Sequence, residues 1–157
     1  KYLLIKTIQN FSGLKYRQQT ILKKKYLTII NDSKSTSFSS SISLLKTNHK
    51  IYWLLGGLNK KGDRFNLSKK YFNNIKAFIY GKDKKFFNKK LKGKINYKNF
   101  INLNFALREI FSIIKKEKFI NKTILFSPCA ASFDDFKNFE DRGFYFNKLI
   151  KKYLNEI

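Results

Sequence analysis

"KIYWLLGG" (residues 50–57) is the stretch on which the fold turns. Apolar residues follow one another from 51 to 55 with no polar alternation, between a lysine and a glycine pair. A strand with one wet face alternates in polarity. A run that is apolar throughout is buried on both faces, the condition of a parallel sheet covered by helices. "YLTIIN" (26–31), "IKAFIYG" (75–81) and "KTILF" (122–126) have the same character, and a weaker strand is expected at 93–97. Helices are expected between them: from 35 to about 46, from about 67, within "KDKKFFNKKL", and from 100 to about 118. In the last of these Phe100, Leu103, Leu107, Ile110 and Ile114 recur at helical spacing. A final helix is expected from near Phe133, with Phe136, Phe139, Phe146, Leu149, Ile150 and Tyr153 on one stripe. Strands alternating with helices predict a Rossmann-like, doubly wound, mainly parallel α/β sheet with helices on both faces. Residues 1–25 do not fit this rhythm. They read as the end of a preceding domain and a linker, and residues 26–157 as one domain.

Composition narrows the classes. At 43% hydrophobic and 17% aromatic, 157 residues can build a core. The chain begins at Lys1 and has no methionine, so a piece of a longer protein is expected. No apolar run reaches the roughly 20 residues of a membrane span. A single cysteine, Cys129, allows no internal disulfide and suits a reducing, cytoplasmic setting; it reads as a small buried hydrophobe. The net charge of +24 raises a nucleic-acid-binding module as one reading. Only Arg17, Arg64, Arg108 and Arg142 are arginines, however, and the lysines are scattered. Arginine is the residue that forks onto phosphate and guanine. Drift toward residues with AT-rich codons explains the lysines better.

Ligands of open parallel sheets bind beyond the carboxyl ends of the strands. Three turns there stand out: "NDSKSTS" (31–37), "GGLNKKGD" (56–63) and "SPCAASFD" (127–134). In the last, Ser132 and Asp135 have capping-box spacing, which places a helix N-terminus, an anion-friendly end, just after the strand. Acids at 134, 135, 140 and 141 would suit that end of the helix dipole. In the first turn Lys34 and Thr36 offer a cation and a hydroxyl near another helix start. The second contains two glycines but matches neither G-x-x-x-x-G-K-[ST] nor G-x-G-x-x-G. No metal-ligand cluster is visible, and His49 has no partner pattern for Cys–His chemistry. These residues give a crevice with anion-friendly turns and leave the ligand unnamed.

Specific motifs carry further. "NDSKSTS" resembles the N-D-S-K-[AS]-T-N stretch of the D-glutamate-adding Mur ligases, the UDP-N-acetylmuramoyl-L-alanine:D-glutamate ligases of peptidoglycan synthesis. "SPCAASFDDFKNFEDRGFYF" is similar to that family's S-P-x-x-A-S-[FL]-D-x-F-K-N-F-E-x-R-G-x-x-F block. "FSGLKYRQQ" (11–19) resembles its F-x-G-L-P-H-R-x-[EQ] segment, and "LLGGLNKKGDRF" its G-G-x-x-K loop. The motifs occur in the family's order between residues 11 and 146.

The resemblance implies the C-terminal domain of a three-domain, cytoplasmic, monomeric enzyme. ATP, with Mg2+ held mainly by the central domain, activates the UDP-N-acetylmuramoyl-L-alanine carboxylate to an acyl phosphate, which the D-glutamate amine attacks. It implies that Lys34, Thr36, Lys60, Ser132, Phe133 and Phe139 bind D-glutamate, with Lys61 as the alternative to Lys60. It implies that Arg17 and Asp32 contact the nucleotide. Tyr16 departs from the usual histidine, Lys15 from a proline and Ser37 from an asparagine. No nucleic-acid or membrane partner is implied. A related amino-acid or folate ligase is the neighbouring reading.

Overall fold

The structure, a computed structural model, describes residues 13–156. Its centre is a six-stranded sheet in the order β1-β2-β6-β3-β4-β5. The strands are β1 (Gln19–Lys24), β2 (Leu27–Asn31), β3 (Lys50–Gly56), β4 (Ile75–Tyr80), β5 (Asn96–Asn99) and β6 (Lys122–Phe126). All neighbours pair in parallel except β1, which runs antiparallel to β2. The helices are α1 (Phe38–Leu45), α2 (Lys84–Leu91), α3 (Leu103–Lys116) and α4 (Phe139–Leu154), with a 3-10 turn at Lys69–Asn74.

The run at 50–57 behaves as its composition requires. It forms β3, between β6 and β4, and its side chains alternate between two cores. Tyr52 and Leu54 join Phe78, Ile124 and Phe126 against α3 and α4. Ile51, Trp53 and Leu55 join Ala77, Ile79 and Leu125 against α1 and α2. Every residue of β3 after Lys50 is buried. Burying a large apolar side chain stabilises by about 1.5–3 kcal/mol, so no single residue of this strand is dispensable. The doubly wound α/β architecture expected from the runs is the one observed.

Local boundaries differ from the sequence reading in several places: α3, expected from 100, starts at Leu103 and leaves Phe100 outside it, and the short helix expected from about 67 is the 3-10 turn at Lys69–Asn74. β1 lies within residues read as linker; "QTILKK" has no continuous apolar run because an edge strand is only half covered. The weak strand expected at 93–97 is β5, shifted to Asn96–Asn99. The helix expected from 35 starts at Phe38. The last helix does not start near Phe133. Residues 132–136 form a turn in which the Ser132 carbonyl accepts the Asp135 and Phe136 N–H groups at 3.3 and 3.0 Å. The cap is Asn138, whose side chain accepts the Asp141 N–H at 2.8 Å. Of the four acids, Glu140 and Asp141 alone fall in the first turn of α4. A capping-box pattern competes with an asparagine cap six residues later, and it is the asparagine whose side chain takes the free N–H of the first turn.

Candidate functional site

The carboxyl ends of β2, β6, β3 and β4 lie side by side, and the turns leaving them are tied together. Leu58 and Ala131 exchange two backbone hydrogen bonds of 3.0 and 2.9 Å, and Gly56 donates to the Pro128 carbonyl at 3.0 Å. Gly57, at φ +130°, runs so close to the β6 turn that a Cβ would collide with the Ala131 carbonyl. Only glycine fits there.

Arg142, 1% exposed, joins the turns to α4. Its Nε donates to Ser33 Oγ at 3.1 Å, and its Nη2 to the Ser33 and Ala130 carbonyls at 2.7 and 3.0 Å. Ser33 Oγ in turn donates to the Phe139 carbonyl at 2.8 Å. Burial lowers the guanidinium's pKa, opposed by Tyr80 and Asp134 nearby; an arginine stays charged through such a shift. Asn31 adds a second tie, donating to the Gly143 carbonyl at 2.9 Å and to Asn147 Oδ1 at 2.7 Å.

Asp32 is 5% exposed. Its Oδ1 accepts the Gln18 N–H at 3.1 Å and its Oδ2 the Ser127 hydroxyl at 2.8 Å. Burial raises its pKa, and the two hydrogen bonds oppose the rise. From Ser127 a chain of hydroxyls runs to Ser41 at 2.5 Å, Ser35 at 2.8 Å and Ser40 at 2.7 Å. The serine-rich stretch after β2 is thus a satisfied polar core beneath the crevice floor. Cys129 touches Ser41 Oγ at 2.9 Å, and burial pushes its thiol up to about 12. It is a buried thiol and no nucleophile at neutral pH, as its sequence context suggested.

On this frame Lys34 is exposed, with Nζ 4.0 Å from the centroid of the Phe139 ring. Thr36 is exposed two residues on. Lys60 and Lys61 are both exposed and share a hollow of about 420 Å³ with Ser37, Ser39 and Arg64. Asp63 anchors that loop by accepting the Phe38 N–H, at the start of α1, at 2.7 Å. Ser132 is buried beside the Leu58–Ala131 bridge, whereas Phe133 is 71% exposed. Arg17 is exposed. The structure therefore brings Lys34 to Phe139, and Lys60 to the start of α1. Sequence reasoning missed Arg142, Asn31 and Ser33 as the frame; an arginine inside an acidic stretch was the one available signal. A hollow of about 460 Å³ beside Tyr26, Leu27 and Ile114 opens at the opposite, amino edge of the sheet. It has none of these convergent groups, and ligands of such sheets bind at the carboxyl edge.

Relatives match nearly the whole chain. A UDP-N-acetylmuramoylalanine--D-glutamate ligase of Wolbachia sp. subsp. Brugia malayi is 38% identical over 151 residues, 95% of this chain. Ligases of the same name from Rickettsia felis and Hydrogenobaculum sp. are each 36% identical, over 98% and 96% of the chain. By sequence the chain belongs to the UDP-N-acetylmuramoylalanine--D-glutamate ligase family. It spans 30 to 36% of the length of these three relatives. No family model matches it. Membership in the D-glutamate ligase family favours a ligase reading over the basic nucleic-acid-binding module that charge alone suggested. Among the described residues no helix is long and apolar enough to cross a membrane.

Proposed function

We propose that the chain is the C-terminal, D-glutamate-binding domain of an ATP-dependent ligase that joins D-glutamate to UDP-N-acetylmuramoyl-L-alanine. The observation that carries the reading is the rim itself. Turns bearing Lys34, Lys60 and Ser132 are cross-tied at one edge of the sheet, with the Lys34 ammonium on Phe139. Glutamate carries two carboxylates and needs two separated cationic positions; Lys34, over the Phe139 ring and near Thr36, and Lys60 (or Lys61), by the start of α1, supply them, with Ser132 and Phe133 proposed on the same rim. In the proposed reaction the sugar-peptide carboxylate takes the γ-phosphoryl group of ATP. The D-glutamate amine attacks the acyl carbon, an amide forms, and phosphate leaves. The sequence has no phosphate-cradling loop, and the described residues have no cluster of acids, histidines or cysteines fit for a metal. ATP and Mg2+ are proposed to be held by the parts of the enzyme that match the relatives' remaining length. Arg17 and Asp32 are proposed on the nucleotide side. The two Asp32 oxygens accept from Gln18 and Ser127, one bond each, which leaves acceptor capacity for a further donor. A cytoplasmic monomer follows from the same reading.

Lys34→Ala in the full-length enzyme tests it. A charge-assisted hydrogen bond contributes roughly 1.5–3 kcal/mol, so the KM for D-glutamate should rise about 10- to 150-fold. The KM for UDP-N-acetylmuramoyl-L-alanine should move far less. An unchanged D-glutamate dependence removes Lys34 from the site.

A further inference from the structure

The chain enters the domain across the crevice rim, and it does so under strain. Tyr16 has φ +61° and Gln18 φ +48°, the left-handed region that non-glycine residues seldom adopt. Such residues persist where their surroundings over-determine them. Here the surroundings are the proposed substrate turn. The Tyr16 carbonyl accepts the Lys34 N–H at 3.0 Å, and the Gln18 N–H is held by Asp32. The Tyr16 N–H is fixed by the Gln19 side chain at 3.2 Å. The Tyr16 ring lies against Gly143 of α4 so closely that a Cβ there would stand 2.5 and 2.6 Å from two ring carbons. Gly143 is one helical turn from Phe139, on the same face of α4, and Phe139 is the residue whose ring holds the Lys34 ammonium. The contacts close a loop: Tyr16 carbonyl to Lys34 backbone, Lys34 ammonium to Phe139, and one turn of α4 back to Gly143 and the Tyr16 ring.

We propose that Tyr16 is a positioning residue that clamps the Lys34 turn to α4, so that the incoming chain sets where the Lys34 ammonium stands. The inference rests on the proposed role of Lys34 in D-glutamate binding. The phenolic hydroxyl has no part in it; the ring and the carbonyl do. That separates the clamp from any role in which a polar side chain at position 16 touches a ligand.

Amide hydrogen exchange on the 157-residue chain tests the clamp. Lys34 is compared with Ile124 in the centre of the sheet, which reports global opening. Gly143→Ala puts a methyl group in the seat of the ring while favouring the helix. It should speed Lys34 exchange about 3- to 10-fold, the range of one lost hydrogen bond, with Ile124 unmoved. Tyr16→Ala should do the same, the double variant should add nothing further, and Tyr16→Phe should match the original chain. D-glutamate titrated into the same samples, followed at the Lys34 and Phe139 signals, should bind more weakly in both single variants by a similar factor. Faster Lys34 exchange in a chain that shows no D-glutamate response in any form supports the clamp and removes the substrate reading. Unchanged Lys34 exchange in both single variants overturns the clamp, as does a Tyr16→Phe chain that behaves like Tyr16→Ala.

Discussion

Asp32 carries its carboxyl where water scarcely reaches. Burial favours the protonated form, while the Ser127 hydroxyl and the Gln18 N–H favour the charged one, and burial wins. A carboxyl whose pKa is raised on folding binds its proton more tightly in the folded chain. Its contribution to stability is therefore full at low pH, below its ordinary 3.8, and is lost as pH rises through the folded value. Asp32→Asn keeps the shape and removes the titration. The Tm difference between variant and original should grow in favour of the variant as pH rises from below 3.8 toward neutrality. Thermal melts at several pH values decide; a difference that stays constant with pH would mean that the two hydrogen bonds balance burial, and one that grows in favour of the original chain would mean that they outweigh it.

The element that matters most to the site is α4, because its first residue meets Lys34 and its second turn supplies Arg142. Its beginning is set by Asn138, with Glu140 and Asp141 placed favourably for the helix dipole. Asn138→Ala should destabilise the chain by about 1 kcal/mol. Ser132→Ala, six residues earlier, should cost less than Asn138→Ala, since Ser132 caps no helix and its turn is held by its backbone carbonyl. Chemical denaturation of the two variants separates the assignments: a larger loss at Ser132 than at Asn138 would return the helix start to the position the sequence pattern suggested. Ser132 could still matter to ligand binding with no role as a cap.

At the scale of the molecule the unbalanced quantity is charge. A net +24 on 157 residues meets two ion pairs among the described residues, Lys50–Glu117 at 2.7 Å and Lys98–Glu109 at 2.7 Å. Both lie at or near the surface, where pairs contribute little. Self-repulsion of the lysines opposes the compact state and is screened by salt. Raising ionic strength from about 0.01 to 0.15 M shortens the Debye length from about 30 to 8 Å. It should stabilise the chain by about 1 kcal/mol, or roughly 2–4 °C in Tm. A Tm that falls with added salt would show that attractive pairs outweigh the repulsion.

Read alone, the sequence specified the sheet. Runs such as residues 51–55 can be satisfied only by burial on both faces, and that condition is local enough to be legible residue by residue. The motifs at 31–37, 56–63 and 127–143 named the family for a similar reason: the residues that make the rim are contiguous in sequence. Tertiary structure decided what depends on distant neighbours. β1 exists because β2 offers it an edge, not because "QTILKK" is a strong strand. The start of α4 lies at the Asn138 cap and not at the capping pattern of 132–135, where the Ser132 carbonyl closes a separate turn. Arg142 looked like one more charge on a basic chain. Only the fold, by bringing Ser33 across 109 positions and Ala130 across 12, made its guanidinium the tie between two turns and a helix, because acceptors for its Nε and Nη2 come from segments distant in sequence.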